Sequence, residues 1–392
     1  MTRLAALALL GFAFVLPWED SLVLPFLGSI GRVSGLVLMV AALPALFVQG
    51  RLRLRYPSVF LVLMALFMLW SSLSLYWSQD PANTFAHVIT RLQLLVLAYL
   101  VWQLMETPLH ALGAMRAYVL GCYVAVGSAA YNFVSGSEAT WQRYSAAGTD
   151  PNEFATMIAL GIPMAWLLVH REKRTLWFWP LLLYLPVALG AVVLTSSRGG
   201  ALVTIVALLV VPMTLHALKA RRRVAFWALA AVGMVGMLQF APQISQFAST
   251  SINRLLSTVS EVTEGTLNER ALIWDAGFRV YEQNPLLGVG AGGFEKSVAS
   301  IIGFERVAHN TYISVFVETG PVGLVLFGAA LLAALASVWR NPPVERAVLL
   351  VLLMTLLVGI IPLTWEYRKV TWFVLVLATA FGTTVIGKPA RA

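Results

Sequence analysis

The run TLWFWPLLLYLPVALGAVVLTSSRGGALVTIVALLVVPMTLHALKARRR, residues 175–223, decides the fold. Two apolar stretches, 175–195 and 199–218, are broken by Ser196-Ser197-Arg198 and closed by Lys219-Ala220-Arg221-Arg222-Arg223. A helix crossing hydrocarbon needs about 20 mostly apolar residues and must satisfy its own backbone hydrogen bonds. Each stretch is long enough, and the cations after the second mark a side of the membrane. Working outward, the same pattern predicts about twelve spans. They lie near 4–17, 33–49, 57–77, 85–105, 109–131, 153–169, 175–195, 199–218, 224–240, 312–336, 347–363 and 370–386. The first follows Arg3 and has the length of a signal-peptide core. Leu16-Pro17-Trp18-Glu19-Asp20 is a poor cleavage site, so we read this span as retained.

Composition agrees. Hydrophobic residues make up 59% of the 392 and charged residues 11%, with a mean hydropathy of +0.81. A soluble domain carries about 25% charged residues. Soluble, disordered and fibrous classes are excluded, leaving an all-α polytopic membrane protein, one integral membrane domain over 1–392. The single Cys122 forms no internal disulfide and supplies no Cys-based zinc site. The net charge of +9 is read as orientation rather than as nucleic-acid binding. With the N-terminus in the cytoplasm, cytoplasmic loops hold fifteen basic and three acidic residues, and the opposite side ten basic and fourteen acidic. That asymmetry predicts both termini inside the cell.

The large interruption, 241–311, falls between the ninth and tenth spans and is expected to be a periplasmic helical loop. Asn268 is placed to cap a helix over about 269–283, ended by Asn284-Pro285. Leu272, Phe278 and Tyr281 give it an apolar stripe that Ile273, Trp274 and Gly277 broaden. Gly288-Val289-Gly290-Ala291-Gly292-Gly293 contains G-x-G-x-x-G, but no strand precedes it. A tight turn against the membrane surface is expected there, not a dinucleotide site. A second apolar piece runs from Val298 to Phe304.

The chain has no P-loop, no D-x-D pair and no His-Glu-x-x-His. A group donor on the outer face must therefore arrive already activated, most simply on a lipid carrier. Arg198, at the junction of two spans, reads either as a cation snorkelling from a helix end or as a bidentate clamp on a diphosphate beside a helix start. Arg270 reads as a surface charge on the loop helix or as a second clamp. His309 and His87 face outward, whereas His110, His170 and His216 fall on the cytoplasmic side. Either outward histidine is a structural interfacial residue or a general base. Glu318, inside a span, is a site residue or the buried partner of Arg91 or Arg116. Arg143 could reach the same head group, and Asn152 in Asp150-Pro151-Asn152 reads as an N-cap.

Five short motifs in order resemble the O-antigen ligase and polymerase superfamily. They are Arg143 through Asp150-Pro151-Asn152-Glu153, Ser197-Arg198-Gly199, Glu269-Arg270 with Trp274, Asn284-Pro285-Leu286-Leu287-Gly288-Val289-Gly290, and His309-Asn310-Thr311-Tyr312 with Glu318-Thr319-Gly320. The resemblance covers about 140–335. It implies a GT-C-like transferase of the bacterial inner membrane acting at the periplasmic face, with no cofactor and no metal. It implies an undecaprenyl-diphosphate-linked glycan as donor and lipid A–core, or another glycan, as acceptor, with membrane lipids around it and no nucleic acid. By motif, the family's two essential arginines fall on Arg198 and Arg270 and its essential histidine on His309. Arg143 and Glu318 are expected to bind substrate. The alternatives are a Wzy-type polymerase of O-units or exopolysaccharide, which uses the same donor, and a twelve-span transporter.

Overall fold

The computed structural model describes residues 2–48, 51–52, 54–137, 143–172, 175–239 and 268–384. It is built of α1 (Arg3–Val15), α2 (Ile30–Ala42), α3 (Val59–Leu73), α4 (Pro81–Leu104), α5 (Pro108–Ser135), α6 (Pro151–Arg171), α7 (Thr175–Thr195), α8 (Arg198–Leu208), α9 (Val210–Thr214), α10 (Ala220–Gln239), α11 (Asn268–Gln283), α12 (Phe294–Ile302), α13 (Thr311–Val338), α14 (Pro343–Gly359) and α15 (Lys369–Thr384). Two short antiparallel hairpins, Val23–Leu24 with Gly28–Ser29 and Phe47–Val48 with Arg51–Leu52, follow α1 and α2. The described residues of the twelve expected spans fall mainly on helices, although 33–49 runs into the Phe47–Val48 strand and 199–218 is divided between α8 and α9. Among the described residues, seven helices are long and apolar enough to cross a membrane, and α1, α2 and α15 belong to shorter apolar helices. The part of the interruption numbered 240–267 lies outside the described residues. The part after it carries α11 and α12.

The helices start where sequence chemistry dictates. Asp80 and Asp150 accept hydrogen bonds from first-turn amides and are followed by Pro81 and Pro151, whose missing N–H costs nothing at a helix start. α6 is hydrophobic all round and is enclosed by α5, α7, α8 and α14. Small residues let its neighbours close in. A methyl group on Gly200 of α8 would collide with Ala155.

The tenth span departs from a straight helix. Pro321 has no N–H, and Gly320 takes φ +67°, ψ −172°, so α13 is broken between Thr319 and Pro321. The break frees carbonyls that a hydrocarbon environment cannot satisfy. Val317 O accepts from Val289 N at 3.1 Å, Glu318 O from Gly290 N at 2.9 Å, and Thr319 O from the Trp70 indole at 2.8 Å. The glycine stretch is thus a plug for the broken helix. Gly288, Gly290 and Gly292 all have positive φ, and a side chain on Gly290 or Gly292 would strike Ser78 or His87. The stretch is buried against the α3–α4 junction, where Asn83 and Thr84 donate to Gly292 O and Ala291 O. This corrects the expectation of a turn lying on the membrane surface.

A second correction concerns α11. Its buried residues are Ile273, Ala276 and Val280, packed with Val289, Phe294, Val298, Ala308 and Val317, whereas Leu272 and Phe278 are exposed. Of the expected face, Ile273 and Gly277 are buried and Trp274 and Tyr281 pack on this cluster, so the correction is confined to Leu272 and Phe278; the Phe294 ring lies against Gly277.

Candidate functional site

Arg198 is the first residue of α8. Ser197 caps that helix, accepting from Gly200 N at 2.9 Å, and its hydroxyl donates to Asn152 Oδ1 at 2.7 Å. The same oxygen accepts from Arg143 Nη2 at 2.9 Å, while Arg143 Nε donates to Thr195 O at 2.9 Å. Arg143 and Asn152 therefore hold the turn that presents Arg198. The N-cap of α6 is Asp150, whose Oδ1 accepts from Asn152 N and Glu153 N. Asn152 is freed to reach across to α8, which corrects its reading as a cap. Residue spacing gives no sign of this link, because the partner is 45 positions away.

His309 is presented in a similar way. Asn310 caps α13, its Oδ1 accepting from Tyr312 N at 3.0 Å and Ile313 N at 3.1 Å. On the other side, the Trp274 indole of α11 donates to Ala308 O at 2.8 Å. Trp274 lies one turn beyond Arg270 on the same helix face, so the bond that fixes His309 also fixes the helix carrying Arg270. His309 has φ +45° and Ser196, two residues before Arg198, has φ +46°. A left-handed backbone costs a residue with a side chain of order 1–3 kcal/mol, and such outliers cluster at functional sites.

The Arg270 and His309 pieces meet at an open cleft of about 460 Å³ lined by Glu269, Arg270, Ile273, Arg306 and His309; Arg198 is not among these lining residues and bears on the cleft through its charge on Arg270. Burial lowers the pKa of the Arg270 guanidinium, and the Arg198 charge lowers it further, with Asp150 working the other way. Burial also lowers the pKa of His309; Arg270 and Arg306 add to this, and Asp150 opposes it. Arg270 and Arg306 both bear on an imidazole that burial biases toward its neutral form, an arrangement that suits an anion beside a base. Arg306 pairs loosely with Glu269 at 3.7 Å and lies over the Phe304 ring. Among the described residues, no group of three or more His, Cys, Asp or Glu side chains converges as a metal-ligand set.

Two expected site residues lie elsewhere. Glu318 is buried, with Arg91 Nη2 at 3.5 Å and the Tyr367 hydroxyl donating to its Oε2 at 2.6 Å. Its position in the half-helix that the glycine plug covers closes it off from ligand, so the buried-partner reading holds, with Arg91 and not Arg116 as partner. Arg116 pairs with Glu172 at 2.6 Å. His87 packs edge-on to Tyr367, centroids 4.2 Å apart, and is not among the cleft-lining residues. Sequence reasoning missed Asn152 and Arg306; the charge of Arg306, three residues before His309, was the available signal for the second.

Known proteins bear on this geometry. Residues 183–328 match a family model described as O-Antigen ligase. The chain is also 25% identical over 332 residues to the exopolysaccharide production protein ExoQ of Rhizobium meliloti (strain 1021), covering 78% of this chain and 71% of that one. The resemblance drawn from the motifs is borne out: residues 183–328, which hold Arg198, Arg270, His309 and all the motifs but the first, match the O-antigen ligase family model.

Proposed function

We propose that the protein transfers a glycan from a lipid diphosphate carrier, undecaprenyl diphosphate, to a hydroxyl of an acceptor. The observation that carries this reading is the open cleft on which Arg270, Arg306 and His309 converge, with the Arg198 charge bearing on Arg270. His309 takes the proton of the acceptor hydroxyl. The acceptor oxygen forms a bond to the anomeric carbon as the bond from that carbon to the diphosphate oxygen breaks. The leaving diphosphate keeps the electron pair, and the two guanidiniums hold its charge. One displacement inverts the anomeric centre. Arg143 serves behind Arg198, positioning it.

The family description supports a ligase that delivers the glycan to lipid A–core. The name of the Rhizobium relative, an exopolysaccharide production protein, favours a second reading, polymerisation onto another lipid-linked glycan. The broken α13 is also a feature of transporters. Its freed carbonyls, however, are taken up by protein donors, so it offers no ion site there. In the proposed arrangement twelve helices span the inner membrane, both termini are cytoplasmic, and 241–311 is a periplasmic loop of a single membrane domain. Reporter fusions after Arg222 and after Gly265 should report opposite sides; the same side for both contradicts it.

The test of function is purified protein, in excess EDTA, with undecaprenyl-diphosphate-linked glycan plus either lipid A–core or further lipid-linked glycan. Product with the first acceptor is ligation, and product with the second is polymerisation. Failure with both, while the donor stays intact, contradicts the transfer reading.

A further inference from the structure

The segment 360–368, between α14 and α15, lies outside the residues the family model matches and outside the five motifs. It touches both halves of the site. Toward His309 it binds the first turns of α13. Ile360 O accepts from Thr311 N at 3.2 Å, Leu363 O from Thr311 Oγ1 at 2.7 Å, and Thr311 Oγ1 accepts from Trp365 N at 2.9 Å. Ser314 Oγ donates to Glu366 Oε1 at 2.6 Å. Toward Arg198, a side chain on Gly199 would come within 3.1 Å of Pro362. Arg368 pairs with Glu153, the neighbour of Asn152, and with Asp20 at 2.8 Å. Lys369 pairs with Glu19 at 2.8 Å, tying the same place to the end of α1.

Thr311 follows His309 by two residues, and Glu153 follows by one the asparagine that holds the Arg198 turn. The helix starts that present the base and the clamp therefore do not set their separation by themselves. Both are fastened to one strap of chain.

We infer that the segment 360–368 is a positioning strap for the reaction, and that Arg368, through Glu153 and Asp20, is the positioning residue that fixes the distance between Arg198 and His309. This rests on the transfer reading proposed above. Displacement of a reacting group by about 1 Å costs on the order of 10²-fold in rate without touching the groups that bind substrate. A loosened strap should therefore lower turnover while donor affinity, which needs only the arginines, persists.

The experiment measures turnover of undecaprenyl-diphosphate-linked glycan and binding of undecaprenyl diphosphate for Arg368→Met, Arg368→Lys and Thr311→Val. Each is made in the wild type and in a His309→Gln background, with Arg198→Ala alongside. Arg368→Met is expected to lower kcat about tenfold or more, with binding within about twofold. In the His309→Gln background, where there is no base left to misplace, it should cost less than about twofold. Arg368→Lys keeps a cation between the two carboxylates and should retain most of the turnover. Thr311→Val loosens the strap from the α13 side and should show the same pattern, which keeps the test intact if Arg368→Met does not fold. Unchanged kcat in Arg368→Met and Thr311→Val overturns the proposal, as does an equal loss in both backgrounds or a loss of donor binding. Wild-type transfer by Arg198→Ala would sink the transfer reading itself. A dead Arg198→Ala beside a normal Arg368→Met sinks the strap alone.

Discussion

Two clusters of charge lie near the start of α13, and they are built on opposite plans. In the first, Arg91, Glu318 and Tyr367 are closed in, opposite charges adjacent and hydroxyl bonded to carboxylate. In the second, Arg270 lines an open cleft beside His309, and the charge of Arg198 bears on it. In the first cluster the charges of Arg91 and Glu318 are matched inside the fold, although Arg91 Nε and Nη1 are buried without hydrogen-bond partners among the described residues. In the second cluster burial and the Arg198 charge both weigh on the Arg270 guanidinium, with Asp150 opposing them, and in the proposed reading an incoming dianion relieves this. On the proposed reading, the difference separates a charge that holds the fold from a charge that receives substrate, with Glu318 in the first class and Arg270 in the second.

The comparison breaks most readily at the arginines. Arg198→Ala and Arg270→Ala are each expected to abolish transfer, a loss of at least about 10²–10³-fold, the scale for removing one donor from a developing anion. Arg198→Lys should recover little, because Lys lacks the bidentate fork. Turnover of Arg198→Lys at the wild-type rate would contradict the clamp geometry. Assays of purified variants at equal protein read these outcomes.

Arg91→Met tests the other cluster through stability. It strands Glu318 in a closed site and should cost about 3–5 kcal/mol, whereas Arg91→Met with Glu318→Met removes both charges and should regain most of that. Denaturant unfolding in detergent measures it. A double variant as unstable as the single one would mean that the pair is not the source of the loss.

A finer effect concerns pH. His309 acts neutral, and its pKa lies below the ordinary histidine value of about 6.5, so the rate should hold through neutral pH and fall only as pH drops through that lowered pKa. Arg306→Gln removes one cation that lowers it, so the acid limb of kcat should move to higher pH. A limb that stays in place or moves down would separate Arg306 from the field at His309.

The apolar helices and the family resemblance were legible because each rests on local information: about twenty apolar residues in a row, or short motifs at the edges of such runs. What the sequence hid is contact between distant positions. The hydrogen bond from Ser197 to Asn152 and the burial of Glu318 by Arg91 and Tyr367 join residues far apart in the chain. The plugging of the Gly320–Pro321 break by the glycine stretch is a third such contact. Gly320-Pro321 does signal a break, but only the fold shows which donors fill it. The exposure of Leu272 and Phe278 on α11 was missed for a related reason. Leu272 and Ile273 are equally apolar, and the choice between them was made by Phe294 packing on Gly277.

The central claim, that His309 is the base beside a diphosphate clamp, is tested most directly by His309→Gln, with undecaprenyl diphosphate binding and turnover measured on the same preparation. Glutamine keeps a hydrogen-bond donor at the position but cannot take the proton. The account predicts binding within about twofold of wild type and a turnover loss on the order of 10²-fold or more, with the acid limb of the pH profile gone. Turnover close to wild type, or a loss of binding that matches the loss of rate, would contradict it and leave His309 as a structural donor to the loop or the diphosphate.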